Sequence, residues 1–374
     1  LYGSHEIPTL RGAERIAIND SGAVSFEGII ASDVNGVYAG DGGPLITIAD
    51  ENGVYAVLDQ GPDMSNSGRV ACHSLLDDGN LGVFTGDGGP VSIVAHTTEG
   101  FDNFRGLAIN DLNAMAFVAF SAEDWYVFYQ EEGQSRITLT EESGNPNFEF
   151  GSTIGMNNAG EVIASKHYFA PNAGLTSAAL IMLGPGGETI VADSAGSYRS
   201  FYDKGINQHQ EVAFSALLDD GRDGIFTGPD PIEDRIIANG DALFESLLDE
   251  VHFSGAINDQ GQVAFLYRLN NGIEGIAVAT PVPEPAAFGL LAAALGIVAV
   301  TGRQMRRKRT TLSWCPNSRG RSARGITVSV LIACLLCGAR VDAKNTDKPR
   351  GGGRDDTDNA PKFSVIELPL PDSF

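Results

Sequence analysis

Two acidic turns hold the residues best suited to chemistry: "LLDDGN" at 75–80 and "LLDDGRDG" at 217–224. Asp77, Asp78, Asp219, Asp220 and Asp223 offer hard carboxylate oxygens of the kind calcium takes. Asp-Gly also makes tight turns between strands, and no full D-x-D-x-D-G loop surrounds these acids. Hairpin turns are the first expectation and calcium the second. The six histidines show no H-E-x-x-H or other close ligand spacing. "GSTIG" at 151–155 approximates a nucleophile elbow but centres on Thr153. "GDGGP" at 40–44 and 86–90 lacks the Lys and helix of a phosphate loop. Cys334 and Cys337 form a C-x-x-C inside an apolar run, without the partners a redox or zinc site needs. No catalytic residue is assigned, and the chain is expected not to be an enzyme.

These turns sit in a strongly acidic body. Of 374 residues, 1–281 carry 40 of the 48 acidic side chains and only 11 of the 25 basic ones. Such a surface repels nucleic acid and anionic membranes. Cys72 is the body's one cysteine, so a packed core and not a disulfide framework must hold it together.

A repeat positions the turns. "INDSGAVSF" (18–26), "MSNSGRVAC" (64–72), "INDLNAMAF" (109–117), "MNNAGEVIA" (156–164), "INQHQEVAF" (206–214) and "INDQGQVAF" (257–265) recur at intervals of 45 to 51 residues. That period marks an array or propeller. Asn and Gly supply turn chemistry, and V-A-F alternates like a half-buried strand. Counting "GVYAG"-, "LITIAD"- and "FRGLAIN"-type segments gives four short strands per unit. The expected fold is all-β: a propeller of six four-stranded blades over residues 1–280. Unit six has only two strands before the prolines, so "HEIPTL" and "ERIAIN" at the N-terminus are expected to complete it and close the ring. An open β-solenoid is the alternative. Residue 1 is Leu, so further sequence with an export signal is expected upstream.

Behind the body stands "PVPEP", then 17 uncharged residues from Ala286 to Gly302, then a basic cluster. As a helix this run spans about 25 Å, close to a bilayer core, and the cluster would hold its end in the cytoplasm. Pro283-Glu284-Pro285, the apolar helix, and Arg303, Arg306, Arg307, Lys308 and Arg309 together resemble the PEP-CTERM sorting tail of exported bacterial proteins. The body resembles the tandem N-x-x-G-x-x-A-F repeats found with interchangeable surface anchors, although Ser65 replaces one Asn and Asn113 and Gln210 replace Gly. The resemblance implies a single C-terminal transmembrane helix, processing by a membrane exosortase through residues 281–309, and display at the cell surface or in the matrix.

Residues 310–325 read as a basic linker, and 326–343, ending in Val341-x-Ala343, read as a signal-peptide-like segment. Residues 344–374 read as a flexible linker and the start of a second repeat domain, because the "IELP" of "FSVIELPLPDSF" resembles His5-Glu6-Ile7-Pro8 at the start of the first. The expected function is binding or structural, toward an extracellular glycan, matrix polymer or protein. A secreted propeller hydrolase or lyase acting on polysaccharide is the alternative.

Overall fold

The computed structural model describes residues 11–282, apart from 31–33, 54, 59–60, 123 and 172–173, together with 363–368. The described chain is all-β; its one helical element is the single turn Thr97–Glu99. No described helix is long and apolar enough to cross a membrane. The apolar runs 286–302 and 326–338 lie outside the described residues.

Six antiparallel sheets follow one another along the chain. The first consists of Arg11–Ile18, Val24–Ile30, Val34–Gly40 and Ile46–Asp50, paired in that order from inner to outer strand. The third repeats the plan with Asn103–Ile109, Met115–Ser121, Asp124–Gln130 and Ile137–Glu142. The fifth does so with Tyr198–Ile206, Val212–Leu218, Asp223–Phe226 and Arg235–Ala238. In the second and fourth sheets the inner strand is broken in two: Tyr55–Leu58 with Asp63–Met64, and Phe148–Phe150 with Gly155–Met156. The sixth runs from Ser246–His252 through Val263–Leu269 and Glu274–Pro281 to Phe363–Leu368.

Each Asn turn is a hairpin between an inner and a second strand. The register is the same in all six: Ile18 faces Val24, Met64 faces Val70, Ile109 faces Met115, Met156 faces Val162, Ile206 faces Val212 and Ile257 faces Val263. This corrects the expected grouping of strands. The strand leading into each Asn opens the sheet that follows it, because a tight turn forces its own two arms to pair. "ERIAIN" therefore belongs to the first sheet and does not complete the sixth, whose outer place is taken by Phe363–Leu368.

The second strands also differ from the half-buried expectation. Val70, Ala71 and Cys72, and likewise Val162, Ile163 and Ala164, are almost wholly buried on both faces. The second to fifth sheets each lie between two neighbours, so both of their faces meet apolar surface. Five core clusters result, each joining consecutive sheets from one–two through to five–six. Each fully buried Phe or Leu in them contributes about 1.5–3 kcal/mol.

The repeat's Asn joins what the clusters pack. Asn157 Oδ1 accepts from Ala159 N and Glu161 N, both at 3.1 Å, which caps its own turn. Its Nδ2 donates at 3.3 Å to the carbonyl of Asn207, the equivalent residue of the next sheet. Asn110 donates likewise to Asn157 at 3.1 Å and Asn207 to Asn258 at 2.9 Å. Sequence departures are compensated in the same place. Where Ser65 replaces Asn, its hydroxyl and that of Ser67 donate to Asn113 Oδ1 at 3.0 and 2.9 Å. Asn113 holds the left-handed position (φ 60°) that Gly fills elsewhere.

Substituting Asn157→Ala strips two backbone N–H groups and one carbonyl of their partner in a buried setting. Chemical denaturation is expected to show a loss of about 1–3 kcal/mol, whereas Asn158→Ala, with a partly exposed side chain, should cost less.

Candidate functional site

The inner strands of the first five sheets, and the stretch 253–259 that follows the inner strand of the sixth, line one polar cavity of about 810 Å³. A stacked solenoid would not gather the inner edges of six sheets around one space. The sheets approach closely here: a methyl added at Gly205 would overlap the carbonyl of Gly255 in the next sheet.

The second residues of five of the six turns, Asp20, Asn66, Asp111, Gln208 and Asp259, line this cavity, and with Asn158 these side chains form a ladder. Asp20 N donates to Asn66 Oδ1 at 2.8 Å, Asn66 N to Asp111 Oδ1 at 3.0 Å, and Asp111 N to Asn158 Oδ1 at 2.9 Å. Asn158 N donates to Gln208 Oε1 at 2.8 Å and Gln208 N to Asp259 Oδ1 at 3.0 Å. Side-chain amides add rungs from Asn66 to Asp20 (2.6 Å) and from Asn158 to Asp111 (3.0 Å). The three amides interspersed among the three acids of the ladder thus place an N–H donor beside each carboxylate. Asp63 also lines the cavity, and its carboxylate accepts from Met64 N and Ile109 N. Burial nevertheless pushes its pKa up to about 6.

The body's two lysines are both buried, a placement that nothing in their sequence neighbourhood signals. Lys166 pairs with Glu142 and Glu188 at 2.7 and 2.9 Å, tying the fourth sheet to the outer strand of the third. Lys204 is 3% exposed; its Nζ donates to Thr153 O at 2.9 Å and Ser165 Oγ at 3.0 Å. A Ser–Lys contact of this length is the geometry of an activated nucleophile. Here, however, Ser165 is wholly buried. Its hydroxyl lies so close to Gly151 that a methyl there would overlap it. An acyl group has no room to form, so the contact joins the fourth and fifth sheets.

The acidic turns proposed from sequence lie at the other end of the second strands, away from the Asn turns, in separate sheets. Asp78 accepts from Asn80 N at 2.9 Å, and hydrogen bonds from Asn80 hold its carboxyl below the usual range. Asp220 is bonded to Arg222 at 2.8 Å, which lowers its pKa likewise. Asp223 is raised by burial and by Glu250. Asp77 and Asp219 sit beside them in the same turns. Among the described residues no three His, Cys, Asp or Glu side chains are grouped as a metal would need. Cys72 is buried, its thiol pushed up to about 12. Pro283, Glu284, Pro285, Arg303, Arg306, Arg307, Lys308 and Arg309 lie outside the described residues.

No protein-family model matches the sequence, and no curated protein does. Among solved structures, the chain is similar to SapL1 lectin in complex with alpha methyl fucoside. That likeness has 8% identity and a TM-score of 0.41, and covers 74% of this chain and 95% of the lectin. It is similar to the Dos1 propeller at 9% identity and a TM-score of 0.39, over 70% of this chain and 66% of that one. It is also similar to the PQQ-bound aldose sugar dehydrogenase of Streptomyces coelicolor. There the identity is 11% and the TM-score 0.39, over 73% of this chain and 96% of the enzyme. Likenesses this loose carry neither ligand nor activity to this chain.

Burial pushes the Lys204 ammonium from 10.5 down to about 7, against the pull of Asp203. Between those values the unfolded chain holds a proton that the folded chain has released. Stability from this group therefore rises with pH through the window. The difference in unfolding free energy between the native chain and Lys204→Met is expected to grow from pH 7 to pH 10, with a slope of at most ~1.4 kcal/mol per pH unit.

Proposed function

We propose that this chain is an exported, surface-displayed binding module: a six-bladed β-propeller body on a sorting tail. One observation carries the binding reading. Five of the six repeats deliver a polar turn side chain to a single cavity, while the acids of the ladder are engaged with neighbouring N–H groups. A catalytic carboxylate pair needs two acids whose environments push their pKa values apart and leave them free to reach a substrate. The ladder instead offers fixed carboxylate and amide oxygens to a hydroxyl-rich ligand, which suits an extracellular glycan or matrix polymer. Protein loops presenting similar donors are the other class of partner. Calcium is not required by this reading.

Export rests on sequence. The charge contrast between the acidic body and the basic stretch after residue 302, and the order Pro-Glu-Pro, apolar run, Arg cluster, support recognition by an exosortase. The body would then be released or re-anchored by processing near Pro283–Pro285.

Mass spectrometry of the mature protein from surface, medium and cytosolic fractions tests the sorting reading. A body ending near residues 281–309 in the surface or medium fraction is expected; an uncut cytosolic chain would overturn it. Incubation with acidic and neutral matrix polysaccharides tests the binding reading. Saturable binding without new reducing ends or unsaturated sugars is expected, and steady turnover would instead establish the hydrolase or lyase alternative.

A further inference from the structure

In the first five sheets the outer strand follows the third after a short connection. The shortest has two residues, between Gly184 and Gly187, and the longest eight, between Phe226 and Arg235. The sixth sheet is built differently. Its outer strand, Phe363–Leu368, reaches its place beside Glu274–Pro281 only after the 81 residues Val282–Lys362.

The seat itself is well formed. Six residue pairs run without a register shift, from Ile276 opposite Leu368 to Pro281 opposite Phe363. Side chains alternate along the strand. Phe363 and Val365 pack on the core cluster shared with the fifth sheet, to which the wholly buried Ala277 and Ala279 also belong. Ser364 and Ile366 face solvent, with Ile366 56% exposed. A main-chain ladder that supplies affinity and alternate side chains that fix register are the two parts of recognition by strand addition.

Neither the ladder nor the packing depends on which copy of the chain supplies the strand. The same segment from a second copy would form the same bonds and bury the same side chains. Only the tether favours the chain's own segment. Effective concentration falls roughly as the −3/2 power of tether length, so 81 residues in place of about six lower it on the order of fifty-fold. Of the six outer strands, Phe363–Leu368 is therefore the one least committed to its own chain.

We propose that the outer edge of Glu274–Pro281 is a strand-acceptor site through which copies of this chain are linked: Phe363–Leu368 of one copy completes the sixth sheet of another. Exchange of this kind needs no new surface and leaves every sixth sheet complete. Reciprocal exchange gives pairs, and one-way exchange gives longer rows of copies. It is favoured where copies are crowded to about the millimolar effective concentration of a flexible tether. The surface display proposed above supplies such crowding, and to that extent the inference rests on it. Processing near Pro283–Pro285, in the same reading, cuts the tether and removes the remaining advantage of the chain's own strand.

Disulfide trapping in the purified full chain tests this, with Cys315, Cys334 and Cys337 replaced by Ser and the buried Cys72 kept. Ala279 faces Val365 in the ladder. A chain carrying both Ala279→Cys and Val365→Cys should cross-link within itself, which reports that the site has formed. A chain with Ala279→Cys alone, mixed with one carrying Val365→Cys alone, should give a cross-linked pair of copies whose yield climbs as protein is raised toward about 1 mM. Ile366→Cys in place of Val365→Cys points to the other face and should give at least about tenfold less. Internal cross-linking with no link between copies above the Ile366→Cys level, at every concentration, would overturn the proposal. So would an internal pair that never forms. Because purified protein is used, finding the native chain in the cytosol would refute surface display without altering this result.

Discussion

The architecture depends on one side chain used twice. At Asn19, Asn110, Asn157 and Asn207 the amide oxygen caps its own hairpin turn, while the nitrogen donates to the backbone of the equivalent turn in the next sheet. A polar group buried at a sheet interface must be bonded or it costs stability. Here one residue satisfies the turn and the interface together, so local turn formation and sheet-to-sheet docking cannot be separated. The carboxylates and amides one position later extend the same logic across the cavity. The candidate binding surface and the device holding the sheets together are thus made from adjacent residues.

That coupling explains which parts of the fold were legible in the sequence. The period of 45 to 51 residues and the Asn-Gly turns are local, and they gave six units of four strands. The partner of each strand was harder to read, since the same string fits either grouping until the turn geometry forces its two arms together. The alternating V-A-F signal under-reported burial, because small Ala residues face a neighbouring sheet as tightly as large ones do. Val70-Ala71-Cys72 is buried on both faces without looking unusually apolar.

The site was less legible than the fold. The acids chosen for chemistry, Asp77, Asp78, Asp219, Asp220 and Asp223, attract attention because they cluster in sequence. The residues that form the ladder are spaced one repeat apart, and only alignment of the repeats would have shown Asp20, Asn66, Asp111, Asn158, Gln208 and Asp259 as one set. Ser65 and Asn113 looked like two independent lapses from the pattern, yet they bond to one another. Lys204 carried a usable signal: it is one of only two lysines in a body with 40 acids. A rare cation there is better explained by a specific buried partner than by surface charge.

The most direct test of the shared-residue account is residue-resolved hydrogen exchange of the Asn66, Asp111, Asn158 and Gln208 amides, whose acceptors are side chains of the neighbouring sheet. If docking and turn formation are one event, they should exchange as slowly as amides of the central strands, such as those of Phe117 and Ile163. Exchange several orders of magnitude faster, with the central strands still protected, would show that the sheets hold together without the ladder.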